Sequence, residues 1–289
     1  MCGIAGIRKL NPRETMDEAN DRSRADLRQE RERQYYEEYF KLFAPVEVCF
    51  DPILGAEKRP WNPYWFVCEV VKRQFTSMGQ SLLDFGCGPG NYSILFARLG
   101  YEVFGFDISP NGIASARHLA VKYGLEDRTH FGVGTAEQLD YASDSFDVVV
   151  GIDILHHVEI VQSLRECLRV LKRGGVATFK EPVAVPVFEP LRNSRFGQWL
   201  VPKTVSYERH ITADERKLTA DDLKAIRDLC PNLSIRRFRL FSRLDAFYRK
   251  NGQNGLPILT TLERIDARAL RACPSLRAFG GEVVLTLRK

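Results

Sequence analysis

SLLDFGCGPGNYS, residues 81–93, runs two leucines into an acid and then into three glycines at alternate positions, Gly86, Gly88 and Gly90. Leu82 and Leu83 read as the end of a buried strand, with Asp84 where that strand emerges. Glycines at this spacing let the backbone turn sharply and approach a ligand with no Cβ in the way. Asn91, Ile94, Leu95, Phe96 and Leu99 read as a helix whose N-terminus faces the same space. Strand, glycine turn and helix make the first half of a nucleotide-type βαβ unit. The spacing is neither G-x-G-x-x-G nor a glycine loop ending in Gly-Lys-Ser/Thr, so a phosphate nest is not expected.

Outward from this turn the pattern stays regular. Strands are expected at 102–107, ending in Asp107, at 129–133, at 146–151 and at 176–180. Helices are expected at 110–123, opened by Ser109-Pro110, and at 158–171, stopped by Gly174-Gly175. The run FDVVVG at 146–151 is apolar throughout, as a parallel strand buried on both faces requires. From 182 to 217 the period is lost and prolines punctuate the chain, as in a long lid-like insertion. A helix follows at 220–229, then a strand at 233–241, helical pieces near Asp245 and at 257–272, and a closing strand at 282–287. The expected fold is α/β: a doubly wound, seven-stranded, mostly parallel sheet with the last strand antiparallel.

Before the sheet lies an expected N-terminal helical cap with its linker, residues 1–76, leaving 77–289 as the ligand-binding domain. A charged helix is expected at 16–43, with Tyr36, Tyr39, Phe40 and Phe43 at helical spacing on one face. Asn62-Pro63-Tyr64-Trp65 reads as the start of a second helix, 63–75, with aromatic packing beside an acceptor pocket.

Composition sets mild bounds. Of 289 residues, 42 are Lys or Arg and 37 are Asp or Glu, a net charge of +5 that does not by itself argue for nucleic acid. The seven cysteines are scattered with no C-x-x-C pair, which argues against a disulfide framework or a zinc site and for a reduced, cytoplasmic setting. No apolar run approaches the length of a membrane span. The start MCGIAG is too quickly charged for a secretory signal. Oligomeric state has no signature in the sequence.

Asp84-Phe85-Gly86-Cys87-Gly88-Pro89-Gly90 resembles the D-x-G-C-G-x-G signature of the class I, Rossmann-like, S-adenosylmethionine (SAM)-dependent methyltransferases. Gly134-Thr135-Ala136-Glu137 resembles the G-D-A-E turn that contacts adenine in that family, with Thr135 in place of the aspartate. Leu155-His156-His157-Val158 resembles the L-H-H-V stretch of the quinone-biosynthesis-type, small-molecule members. Arg169-Val170-Leu171-Lys172-Arg173-Gly174-Gly175 resembles their R-V-L-K-P-G-G turn. The resemblance covers 82–181 well and the rest in outline. It implies SAM as cofactor, with S-adenosylhomocysteine as product and no metal. It implies that Asp84, Gly86, Cys87, Gly88, Gly90, Asp107, Ile108, Thr135, Ala136, Glu137 and Asp153 bind the cofactor. Asp107 would accept from the ribose hydroxyls, or simply cap the helix after it. His157 and His156 are the candidate catalytic bases, or they hold the loop by hydrogen bonds. Tyr36, Tyr39 and His210 are the candidate acceptor contacts.

The activity implied is methyl transfer to a small-molecule acceptor, at a hydroxyl oxygen. The alternatives are an RNA or protein methyltransferase, and a SAM-binding protein without catalysis. The MCGIAG start also resembles that of class II glutamine amidotransferases, but the segment before Asp84 is too short for a glutaminase domain, and the match is taken as coincidence.

Overall fold

The computed structural model describes residues 12–41, 47–185, 216–244 and 256–289 of the chain. The MCGIAG start, Phe43, Asp245, His210 and most of the 182–217 insertion lie outside them.

In chain order the elements are α1 (Pro12–Lys41), α2 (Asp51–Leu54), α3 (Pro63–Gln74), β1 (Ser81–Phe85), α4 (Asn91–Leu99), β2 (Glu102–Asp107), α5 (Pro110–Tyr123), β3 (Thr129–Val133), β4 (Phe146–Ile152), α6 (Ile160–Val170), β5 (Leu171–Pro182), α7 (Ala220–Leu229), β6 (Ser234–Phe238), α8 (Leu256–Ala272) and β7 (Glu282–Arg288). The strands form one seven-stranded sheet in the order β3-β2-β1-β4-β5-β7-β6. The first five strands run parallel, and β7 lies antiparallel between β5 and β6. This is the expected fold class. The order reverses at β1 and β4, the switch point where open α/β sheets bind ligands.

Alternate strand residues feed two cores. Leu83, Phe85 and Val149 pack with α6 and α7 residues such as Leu164 and Ile226. Leu82, Val148 and Val150 face the other way, onto Val67 and Val71 of α3 and Ile94 of α4. Several helix starts carry side-chain caps. Asn62 Oδ1 accepts from the N–H groups of Tyr64 and Trp65 at α3, and Ser109 Oγ accepts from Gly112 at α5. Thr219 and Asp222 form a reciprocal capping box at α7.

Three boundaries differ from expectation for local reasons. Helix α6 starts at Ile160, not Val158, because Glu159 takes the cap position and accepts from Gln162 N–H. It ends at Val170, and Gly174-Gly175 fall inside β5 rather than stopping a helix. There Leu171 pairs with Phe146 and pairing resumes at Val176 with Val148, so the glycines ride in a bulge. Strand β6 ends at Phe238 because the buried Asp266 carboxylate of α8 takes the N–H groups of Leu240, Phe241 and Ser242. That withdraws the chain from the ladder before Phe241. Among the described residues no helix is long and apolar enough to cross a membrane.

Candidate active site

A cavity of about 390 Å³ opens at the carboxyl ends of β1, β2 and β4, within the size range of small-ligand sites. Its floor is the glycine turn. Gly88 has φ +49° and Gly90 φ +84°, both in the left-handed region that suits glycine. A Cβ on Gly88 would lie 3.3 Å from the Phe40 ring, and one on Gly90 would lie 2.8 Å from Ala116. Gly88 lines the cavity; Gly90 does not, and acts instead by letting α4 start close against α5. Cys87 lines the cavity as well, and burial pushes its thiol well above the ordinary range. Its backbone N–H binds Phe106 at 2.8 Å, which ties the turn to β2.

Two acids stand at the strand ends. Asp84 is buried and accepts from Ser93 Oγ at 2.6 Å. Burial pushes its carboxyl up to about 7 against the lowering pull of Ser93, with Asp107 adding a like charge. Asp107 accepts from Gly88 N–H on one oxygen and Ser109 N–H on the other, each at 2.9 Å. Burial raises this carboxyl too, in spite of those two donors. Both oxygens keep a second lone pair for a ligand hydroxyl, so the capping role and the ligand role are compatible. Ile108, Gly134, Thr135 and Ala136 complete that wall.

The roof is α1. Arg28, Glu32, Tyr36 and Phe40 fall four residues apart on one face, and all line the cavity together with Gln29 and Tyr39. Glu37 anchors the helix: its carboxylate accepts from Ser109 Oγ and Asn111 N–H at 3.0 Å, and its carbonyl accepts from Asn111 Nδ2. Glu137 is the second anchor. It pairs with Arg28, accepts from Gln29 Nε2 at 3.1 Å, and accepts from Glu159 N–H at 2.9 Å. Its carboxylate, expected at the adenine, is thus engaged with the cap.

The two histidines part company. His157 lines the cavity, with Nε2 3.0 Å from the Tyr36 hydroxyl and Nδ1 3.3 Å from Glu32 Oε2. His156 is buried away from it. Its Nδ1 lies 2.6 Å from Glu181, whose other oxygen accepts from the Ile154 and Leu155 N–H groups, and it lines only a second cavity of about 240 Å³, which His157 also borders. In this geometry His156 holds the loop after β4, while His157 faces the site.

Asp153, at φ +56°, closes the end of the cleft. It binds Lys180 Nζ at 2.8 Å and the Tyr64 hydroxyl at 3.1 Å. Burial, then Asp153, push the Tyr64 hydroxyl up to about 12. Burial alone would lower Lys180, and the charges of Asp153 and Glu282 outweigh it, so the ammonium is held above its ordinary value. Asp153, His156 and Glu181 also bring ligand atoms within 4.8 Å of one another, the grouping among the described residues that a metal would need.

Sequence reasoning missed Arg28, Gln29, Glu32 and Lys180. For Arg28 and Glu32 the signal was present: the aromatic face at Tyr36 and Phe40, extended back by two four-residue steps, reaches both.

A family model described as a methyltransferase domain matches residues 83–179. Methyltransferase GfsG of Streptomyces halstedii is 35% identical over 133 residues, 45% of this chain and 46% of that protein. The ubiquinone biosynthesis O-methyltransferase of Cereibacter sphaeroides is 34% identical over 197 residues, 59% of this chain and 78% of that one. The matches to the first three curated relatives span 46%, 62% and 56% of their lengths. Among solved structures, geranyl diphosphate C-methyltransferase of Streptomyces coelicolor, in complex with Mg²⁺, geranyl diphosphate and S-adenosyl-L-homocysteine, shares the fold. Its TM-score is 0.56 at 14% identity, over 90% of this chain and 98% of that one.

Proposed function

The chain belongs to the class I SAM-dependent methyltransferases, and from this we propose that it methylates a hydroxyl oxygen of a small molecule. The observation that carries the reading is convergence. The glycine turn, Asp107, the 134–137 turn and His157 come from four separate places in the sequence and line one cavity.

The donor set suits the cofactor. SAM is cationic and carries no phosphate, and the cavity offers two carboxylates, the buried Asp84 and the half-buried Asp107, whose raised values a bound cation relieves. Asp84 would hold the ammonium end, Asp107 the ribose hydroxyls, and Ile108 and Ala136 the adenine edge. Bound there, SAM supplies a methyl group on a sulfonium leaving group, activated without further help. The protein's residues align the partners and exclude water. Helix α1 does the excluding, and Asp153, fixed by Lys180 and Tyr64, sets the far wall. His157 takes the proton. His157 Nε2 would accept the proton of the acceptor hydroxyl as its oxygen takes the methyl group that bound SAM would supply, with S-adenosylhomocysteine as the leaving thioether. The imidazolium then returns the proton to water.

The cover of α1 favours a small acceptor over a polymer. Relatives named ubiquinone biosynthesis O-methyltransferase favour oxygen as the acceptor atom. The reaction is proposed without a metal, because in the grouping of ligand atoms found among the described residues the Lys180 ammonium already sits 2.8 Å from Asp153.

Calorimetry with S-adenosylhomocysteine tests the reading. Affinity is expected in the micromolar range, roughly that of ordinary enzyme sites. Gly88→Val, strained at φ +49° and pressed on Phe40, should abolish it. Binding that is absent in the wild type, or intact in Gly88→Val, would sink the proposal. With labelled SAM and a panel of phenols, His157→Ala should lower turnover by about 100-fold, with a far smaller effect on cofactor affinity.

A further inference from the structure

Helix α1 does more than cover the cleft. Glu32 and Tyr36 stand one helical turn apart on its inner face, and they meet the His157 ring at its two opposite nitrogens. The pair is shielded from bulk solvent: Glu32 is 3% exposed overall, and the His157 side chain 8%. We propose that Glu32 is the positioning residue for His157, fixing the tautomer that carries its proton on Nδ1 and presents the Nε2 lone pair to the cleft. The inference rests on the reading above, in which His157 is the base, and adds the group that makes it one.

A neutral imidazole has one donor and one acceptor nitrogen, and the partner of one decides the role of the other. Glu32 Oε2 lies 3.3 Å from Nδ1, an ion-pair distance that is off the line of an aligned hydrogen bond. An ionised carboxylate can only accept, so facing Nδ1 it favours the proton there. Nε2 is then the acceptor, and the Tyr36 hydroxyl, 3.0 Å away, donates to it. The opposite tautomer would turn the Nδ1 lone pair onto a carboxylate oxygen inside a buried site, an arrangement with no hydrogen at all between two acceptors.

During transfer the proton of the acceptor hydroxyl passes to Nε2, directly or by exchange through Tyr36 O–H, while its oxygen forms the bond to the methyl carbon. The ring becomes an imidazolium with N–H on both nitrogens. Glu32 then faces a cation, so its charge stabilises the state that has accepted the proton. The other groups near the ring do not substitute for it. Arg28 is committed to Glu137, and the Asp107 oxygens to Gly88 and Ser109. His156, 4.0 Å away ring to ring, is held by Glu181.

The test is the ring itself, in full-length protein with ¹⁵N-labelled histidine and bound S-adenosylhomocysteine. The nitrogen shifts at neutral pH report the tautomer. In the wild type His157 is expected wholly as the Nδ1–H form. Glu32→Leu should move most of the population to Nε2–H, the form imidazole prefers when nothing holds it. Glu32→Gln keeps an acceptor oxygen at the same reach and should restore Nδ1–H. Tyr36→Phe should leave the tautomer unchanged, because Glu32 sets it. A wild-type Nε2–H form, an unmoved tautomer in Glu32→Leu, or a switch in Tyr36→Phe would each overturn the proposal. Should Glu32→Leu fail to fold, the wild-type and Tyr36→Phe spectra still decide it. Binding of S-adenosylhomocysteine by the wild type, measured separately, tests the methyltransferase reading, whereas the tautomer tests Glu32.

Discussion

Asp84 is a buried acid that ties stability to pH and, under the proposed function, cofactor affinity as well. In the folded, unliganded protein its carboxyl is pushed up to about 7, while in the unfolded chain it titrates near its ordinary 3.8. Between those values the folded state holds a proton that the unfolded state has lost. Its contribution to stability is therefore fully present below about pH 4 and lost as pH rises through 7. Asp84→Asn should make the unliganded protein more stable at pH 8, on the order of a few kcal/mol, with no gain at pH 4. Urea unfolding at the two pH values checks this. Cofactor affinity should move the opposite way, because an ammonium prefers the ionised acid. Between pH 6 and pH 8 the ionised fraction rises roughly tenfold for a group titrating near 7. S-adenosylhomocysteine should bind tighter by about that factor in the wild type and show no such rise in Asp84→Asn. A flat profile in the wild type would detach Asp84 from the ammonium.

At the scale of elements, α1 carries the least obvious part of the structure. It is strongly charged, so its inner face shows only where Arg28, Glu32, Tyr36 and Phe40 recur every fourth residue. Three anchors hold it: Glu37 at the start of α5, Arg28 and Gln29 on Glu137, and Phe40 against Gly88 and Gly112. Glu37→Ala removes acceptors from Ser109 Oγ and Asn111 N–H, worth about 1 kcal/mol each. Affinity for S-adenosylhomocysteine should fall about tenfold, and limited proteolysis should cut within α1 sooner than in the wild type. The sheet, by contrast, was legible. Its parallel strands are short apolar runs between glycine turns and capped helices, and each signal is local. The start of β5 was not, because Gly174-Gly175 looks like a helix stop, and only pairing with β4 shows that the strand spans it. The site divided the same way. The strand-end residues Asp84, Asp107 and His157 were readable from position, whereas Glu32 and Lys180 needed contacts across 125 and 27 residues, to His157 and Asp153 respectively.

For the molecule as a whole, the cavity lies where helix α1 meets the strand ends of the sheet. The strand ends of β1, β2 and β4 form the floor on a sheet with a core on each face. None of the described side chains of helix α1 joins either core, and the helix reaches the floor through polar contacts and the Tyr36 and Phe40 rings around the cavity. A ligand that touches both should therefore add to the stability of the folded state and tie α1 to the sheet. At a concentration 100 times its dissociation constant, a ligand that binds only the native state adds about 2.7 kcal/mol. With a specific unfolding entropy near 2.1 cal/mol/K per residue, that raises the midpoint of a chain this size by roughly 4 °C. The same concentration applied to Glu37→Ala should fall short by about 2 °C for each tenfold loss of affinity, since each such loss removes about 1.4 kcal/mol. Thermal melts of both proteins with S-adenosylhomocysteine, read beside calorimetry, check the two numbers against each other. If Glu37→Ala keeps the full shift, α1 is a passive cover. If it loses the shift in proportion to affinity, the cap and the sheet are joined through the cofactor, and the methyl-transfer site exists as a unit only with both in place.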